Sequence, residues 1–215
     1  MNRPVGIVKD MSTTNLEGSV RDRLLAAANE LFYQEGIHAV GIERVLERAG
    51  VAKASLYSTF GSKDELVRAY LLARHERRQA RINARIARYE SPREKILAIF
   101  DLIAELAAEP NFRGCAFVRA SSEGSSGESK VARVCADTRA WARGLYTDLA
   151  RQAGVGDPDE IGRRLMLLYD GGMVGAAMEG GADAPKIARA MAEELLDAYG
   201  AAARPAKRAP RGRKH

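Results

Sequence analysis

Cysteine is scarce: only Cys115 and Cys135 occur in 215 residues. That excludes a disulfide scaffold and makes a reducing compartment the expected one. No run of about 18 apolar residues exists, so no membrane-spanning helix is expected. The stretch Met1 to Gly18 lacks the apolar core of a secretory signal. These absences together lead us to expect a cytoplasmic protein without a membrane partner. Histidine is scarce too. His38, His75 and His215 are scattered, and none stands at a metal-ligand spacing. There is no Gly-rich phosphate loop and no G-x-S-x-G elbow. With no catalytic constellation in view, the expectation is a protein that is not an enzyme and uses neither cofactor nor metal. The two cysteines leave a redox role open, although free cysteine behaves mostly as a small buried hydrophobe.

What is present is an ordinary globular balance, 46% hydrophobic and 29% charged, which argues against wholesale disorder. The net charge of +6 resides in residues 204–215, where Arg204, Lys207, Arg208, Arg211, Arg213 and Lys214 occur with no acid. Residues 1–203 sum to zero. Within them, residues 20–90 carry net +4 and residues 91–203 net −4, a polarity that suggests two jobs in one chain. The tail has no large apolar residue to offset ordering entropy and is expected to be disordered. It either adds non-specific attraction to phosphate or serves only solubility.

Period-2 alternation is nearly absent, while helical periodicity and helix-start chemistry recur throughout. The sequence therefore reads as all-α, with about nine helices. Ser19 with Asp22 caps a first helix that Gly36 ends. Ile42, Val45, Leu46 and Ala49 share one face of a short second helix, and Gly50 stops it. A third short helix runs from about Lys53 to Thr59. Ser62-Lys63-Asp64-Glu65 reads as a capping box before a long fourth helix to about Tyr89. On that helix Leu71, His75, Ile82, Ile86 and Tyr89 line one side. Arg74, Arg78, Arg81, Arg85 and Arg88 line another, which in its distal half is expected to face solvent. Ser91-Pro92 opens the next helix, which Pro110 breaks. A short helix follows near Cys115 to Glu123, then a Gly/Ser-rich turn from Gly124 to Gly127. Three longer helices follow, the second opening at Asp157-Pro158 and the last spanning Pro185 to Ala202.

The informative stretch is residues 36–66. Two short helices joined by Gly50-Val51-Ala52 make a helix-turn-helix, whose second helix fits the roughly 12 Å major groove of DNA. Gly50 tolerates a positive φ, and Val51 supplies an apolar plug. Lys53 suits a phosphate or a base edge. Ser55, Tyr57, Ser58 and Thr59 offer hydroxyls, and Ala52 and Ala54 permit close approach. Lys63 stands at a helix start, where free amides already favour an anion.

The run Gly50-Val51-Ala52-Lys53-Ala54-Ser55-Leu56-Tyr57-Ser58-Thr59-Phe60-Gly61-Ser62-Lys63-Asp64-Glu65-Leu66 resembles the signature of TetR-type transcriptional regulators. Upstream, Ala27-Ala28-Asn29-Glu30-Leu31-Phe32, Gly36 and Ile42 to Ala49 fall where that family keeps its first two helices. The resemblance covers about residues 20–70. It implies an N-terminal three-helix domain with the helix-turn-helix, followed by a helical ligand-binding and dimerising bundle. The domains then fall at 19–65 and 66–203, flanked by disordered segments 1–18 and 204–215. It also implies that Lys53, Ser55, Tyr57, Ser58, Thr59 and Lys63 meet DNA, with Arg44 a further candidate. Ala52, Ala54, Ser58-Thr59 and Gly41 depart from the residues common in the family, so the operator sequence does not follow from the resemblance. Phe112 to Phe117 resembles a stretch found in one branch, with no effector attached to it.

The function so implied is sequence-specific DNA binding that regulates transcription, as a repressor released by a small-molecule ligand. One recognition helix reads only a few base pairs, so a homodimer on a palindromic double-stranded operator is expected, its reading helices about 34–36 Å apart. The last two long helices are the candidates for that dimer, the first of them carrying Leu165, Leu168, Gly171, Gly172, Gly175 and Ala176. Its glycines alternatively kink the helix or give room to a neighbour within one subunit. An effector pocket is expected from Phe100, Ile103, Phe117, Trp141, Tyr146 and Met166 as apolar walls, with Arg119, Tyr169, Glu123 or Asp170 as polar handles. The rival readings are an architectural DNA-binding protein and a helical adaptor without an effector.

Overall fold

The computed structural model describes residues 18–123 and 129–202. The N-terminal arm up to residue 17, the Gly/Ser-rich turn and the basic tail lie outside them. Among the described residues there are nine helices and no strand. The chain forms two units that divide between Tyr70 and Leu71.

The first unit contains α1 (Val20–Glu35), α2 (Ile42–Ala49), α3 (Lys53–Phe60) and the start of α4 (Lys63–Ile86). Helix α1 begins where the sequence places a cap. The Ser19 hydroxyl accepts from the Asp22 amide at 3.2 Å, and the Asp22 carboxylate accepts from the Ser19 amide at 3.2 Å. Two otherwise orphaned donors are thereby satisfied. Leu24, Ala28, Val40, Val45, Leu56 and Leu66 are buried and knit the three short helices into one core. The Phe32 and Tyr70 rings meet edge to face with centres 5.6 Å apart, a favoured geometry for an aromatic pair.

The second unit contains the rest of α4 with α5 (Pro92–Ala107), α6 (Ala116–Ser122), α7 (Lys130–Gln152), α8 (Pro158–Glu179) and α9 (Asp183–Ala202). Helix α8 packs against both α7 and α9, and α5 packs against all three. Phe100, Ile103, Tyr146, Ile161 and Leu165 are fully buried at the centre. Each aliphatic or phenyl group so buried contributes about 1.5–3 kcal/mol. Ion pairs clasp α5 to α9. Arg93 reaches Asp197 at 2.7 Å, and Arg189 reaches Asp101 at 2.6 Å.

Helix boundaries differ from the sequence reading in small ways. Helix α4 stops at Ile86 rather than Tyr89. The amides of Arg88 and Tyr89 turn to carbonyls three residues back, at 3.3 and 3.2 Å, which tightens the last turn beyond α-helical winding. Helix α6 is shorter by one residue at each end, with Cys115 and Glu123 as its caps. Helix α9 starts at Asp183, two residues before Pro185, since proline is tolerated in a first turn.

The glycines of α8 divide by role. A Cβ on Gly172 meets Ala188 at 3.2 Å, and one on Gly175 meets Ala184 at 2.6 Å, so both make room for α9 of the same chain. Gly171 has nothing within 4 Å. Gly162 is the tightest: a Cβ there lies 2.2 Å from Thr147 Oγ1 and 3.1 Å from the Thr147 backbone. Gly162→Ala is therefore expected to force α7 and α8 apart at a cost of about 1–3 kcal/mol in urea unfolding. Gly144→Ala on exposed α7 surface, with no neighbour within 4 Å, is the control. It is expected to gain about 0.5–1 kcal/mol. Equal stability in the two variants would refute the close α7–α8 approach.

Candidate nucleic-acid interface and a buried arginine

The turn between α2 and α3 follows from one residue. Gly50 has a φ of 62° and a ψ of 41°, a left-handed conformation that suits glycine. Its amide donates to the Glu47 carbonyl at 3.1 Å, and the Val51 amide donates to Leu46 at 3.1 Å. The end of α2 is closed in this way, and the chain leaves extended through Ala52. No side chain caps α3. Leu56 is 0% exposed and anchors α3 on the unit. The opposite side of α3 presents Lys53, Ala54, Tyr57, Ser58 and Thr59 to solvent, with Ala52 exposed just before it and Ser55 half-buried. Tyr57 is 48% exposed, a large share for an aromatic ring on a packed unit.

The cationic candidates are held by partners on their own unit. Lys53 pairs with Glu43 of α2 at 2.7 Å. That hydrogen bond holds the Glu43 carboxyl below its usual range and raises the Lys53 ammonium. Arg44 donates through both terminal nitrogens to Glu35 of α1 and lies on the exposed side of α2. Lys63 is drawn inward: its ammonium donates to the Ile37 carbonyl at 2.8 Å and lies 6.0 Å from the Phe32 ring. The Ser58 and Thr59 hydroxyls both donate to the Ser55 carbonyl, at 3.1 and 2.6 Å. Such back-bonding keeps short polar side chains ordered on a helix. The structure thus brings Lys53, Tyr57, Ser58 and Thr59 onto the exposed side of one helix, with Ala52 just before it and Ser55 half-buried on it, sets Arg44 on the helix before it, and turns Lys63 away.

The residues read from sequence as an effector pocket are in the second unit. Phe117, Trp141 and Tyr169 surround one cation. The Phe100 and Tyr146 rings lie 5.9 Å apart, and the Tyr146 and Tyr169 rings 6.4 Å apart. Ile103 and Met166 belong to the same buried core. Arg119 is half-buried on α6, and Asp170 accepts from Arg139 of α7 at 2.5 Å.

The cation at the centre is Arg78, which the sequence reading placed on a solvated arginine stripe. That placement is corrected. Its guanidinium carbon lies 4.8 Å from the Tyr169 ring centre and 5.9 Å from those of Phe117 and Trp141. Its Nε and Nη2 are shut off from solvent without a hydrogen-bond partner. The available signal was register. Position 78 falls between His75 and Ile82 at spacings of three and four, inside the apolar stripe. His75 stacks its edge on Trp141 at 5.4 Å, and burial, aided by Arg78, pushes its imidazole below the usual value. Cys115 is half-buried and Cys135 buried, and burial raises the Cys135 thiol. Among the described residues no cluster of His, Cys, Asp and Glu could hold a metal, and no helix is long and apolar enough to cross a membrane.

A helix-turn-helix on an all-helical second unit defines a class of DNA-binding regulator. The family model described as "Bacterial regulatory proteins, tetR family" matches residues 24–70. A TetR-family transcriptional regulator from Streptomyces coelicolor is 31% identical, with a TM-score of 0.76 over 87% of this chain and 97% of that one. A putative TetR transcriptional regulator from Streptomyces avermitilis is 33% identical, with a TM-score of 0.75 over 85% and 98%. The HTH-type transcriptional activator FasR of Mycolicibacterium smegmatis is 49% identical over 55 residues, 26% of this chain and 25% of FasR. The chain belongs to the TetR family of transcriptional regulators. Its matches to FasR and to the other curated relatives span less than half of their length.

Proposed function

We propose that the protein is a repressor that binds a palindromic operator as a homodimer and leaves it when a small molecule enters the second unit. The observation that carries the DNA reading is α3 itself. It is a short helix anchored by buried Leu56, entered through the Gly50 turn, with Lys53 and Tyr57 one turn apart on its free side. Lys53, Arg44, Tyr57, Ser58 and Thr59 are the contact residues on this reading, with Ala52 and Ser55 at the point of closest approach. Lys63 reaches phosphate only by giving up the Ile37 carbonyl. The test is selection of bound duplexes from a random pool. The expected product is an inverted repeat whose half-site centres lie about 34–36 Å apart. Enrichment of no motif would reject the reading. FasR is named as an activator, so reporter transcription with and without the protein decides the sign for this chain.

The dimer reading is supported by apolar side chains left uncovered. Leu167 and Met178 on α8 are 65% and 81% exposed, and Ile187 and Met191 on α9 also face outward. Leu167, Gly171, Val174 and Met178 follow helical spacing along one stripe, and contiguous exposed apolar surface commonly marks an interface. Leu167→Glu with Met178→Glu is expected to convert a dimer to a monomer in sedimentation velocity and to abolish operator binding. A variant still dimeric at low micromolar concentration would place the interface elsewhere.

The effector part of the reading is supported by the aromatic residues gathered around Arg78 in the second unit. Effector and operator must then oppose each other reciprocally, each weakening the other by the same factor.

A further inference from the structure

We propose that Arg78 is the anion receptor of the effector site and that the effector is an amphipathic carboxylic acid. Its carboxylate pairs with the Arg78 guanidinium, and its apolar body lies against Phe117, Trp141 and Tyr169. The inference rests on the effector reading above and adds the chemical class of the ligand.

Arginine keeps its proton in proteins, so a full positive charge sits among these rings. Three aromatic faces, at 4.8 Å for Tyr169 and 5.9 Å for Phe117 and Trp141, stabilise that charge in part. They do not satisfy its N–H groups. Nε and Nη2, the two buried nitrogens without a partner, form one edge of the guanidinium fork. Their parallel N–H bonds match the two oxygens of a carboxylate. Asp170, the acid that contributes to the electrostatics at Arg78, has its carboxylate bonded to Arg139. A buried cation left in this state is costly, and such a cost persists where a ligand relieves it.

The surrounding groups narrow the ligand further. The Tyr146 hydroxyl and His75 Nδ1 are likewise buried without partners. Burial pushes the Tyr146 phenol far upward, so it remains a neutral hydrogen-bond donor. His75 has its imidazole pushed down and stays neutral near pH 7. One guanidinium beside a neutral phenol donor and a neutral imidazole fits a monoanion, whereas a phosphate dianion calls for further cations. Phe117, Trp141 and Tyr169 supply the flat apolar walls that the body of such an acid needs.

The test is calorimetric titration of the full chain with phenylacetate, indole-3-acetate and decanoate, each beside its own primary amide. At least one acid is expected to bind, with its amide at least about tenfold weaker. The aromatic and aliphatic acids separate the two sources of an apolar body. Arg78→Met and Arg78→Gln are expected to weaken that acid about ten- to a hundredfold. Arg163→Ala, on the exposed surface of α8, should leave it unchanged. Should both Arg78 variants fail to fold, the acid-to-amide ratio on the wild-type chain still decides. Equal binding of acid and amide, or binding by none of the three acids, overturns the proposal. A selected operator duplex alongside three silent acids would sink the acid and spare the regulator. An acid that binds through Arg78 without any selected duplex would do the reverse.

Discussion

The Lys53→Ala, Tyr57→Ala double variant is expected to bind its selected operator at least about a hundredfold more weakly than the wild type while unfolding at the same denaturant concentration. Neither side chain belongs to the core of the first unit, where Leu56 alone anchors α3. Folding should not register their loss. A single base or phosphate contact is worth about five- to a hundredfold in affinity, so losing two is large even without coupling. Lys53 carries a second signature. If it neutralises one phosphate, Lys53→Ala alone should reduce the slope of log affinity against log salt by about one. Its present partner supplies the opposite case. Lys53 is paired with Glu43 at 2.7 Å, and DNA has to compete with that carboxylate. Glu43→Gln is therefore expected to tighten operator binding a few-fold, most visibly at low salt. Fluorescence anisotropy on a labelled duplex reads all three effects. An unchanged affinity in the double variant would move the reading face away from α3. Weaker binding in Glu43→Gln would mean that the ion pair orders the helix rather than restraining the lysine.

How far the chain could be read in advance depended on whether a feature is local. Ser19 with Asp22, Gly50, Ser91-Pro92 and Asp157-Pro158 mark helix ends through contacts within a few residues, and the structure places ends at each. The exposed row on α3 was legible for the same reason, because Leu56 is its one buried residue. The partners of the charged residues were not legible. Lys53 meets a carboxylate ten positions away, and Lys63 meets a carbonyl twenty-six positions away. Such pairings depend on how helices pack, which periodicity does not report. Arg78 was hidden for a related reason. Arg74, Arg81 and Arg85 set a pattern of basic residues on its helix, while its burial is decided by Phe117, Trp141 and Tyr169 on three other helices. The glycines of α8 allowed two readings until their neighbours were known. Gly172 and Gly175 receive α9, and only Gly171 remains on the uncovered stripe.

Phe100→Ala is expected to destabilise the second unit by about 3–5 kcal/mol, a large part of the roughly 5–15 kcal/mol that holds a domain folded. Phe100 is 0% exposed and sits where α5 meets α7 and α8. Its ring centre lies 5.9 Å from that of Tyr146, so truncation leaves a void beside a second aromatic ring. Tyr146→Phe makes the informative contrast at the other side of that same contact. The ring and its packing stay, and only the hydroxyl goes. That hydroxyl is buried without a hydrogen-bond partner, so its removal takes away a desolvated polar group and no bond. Tyr146→Phe is expected to be neutral or to stabilise by about 1 kcal/mol. Urea unfolding followed by Trp141 fluorescence reads the second unit in both variants, since Trp141 is the one tryptophan of the chain. A Phe100→Ala cost below about 1 kcal/mol would mean that the core collapses around the missing ring. A Tyr146→Phe loss above that size would mean that the hydroxyl has a partner, such as a bound water, and is not waiting for a ligand oxygen.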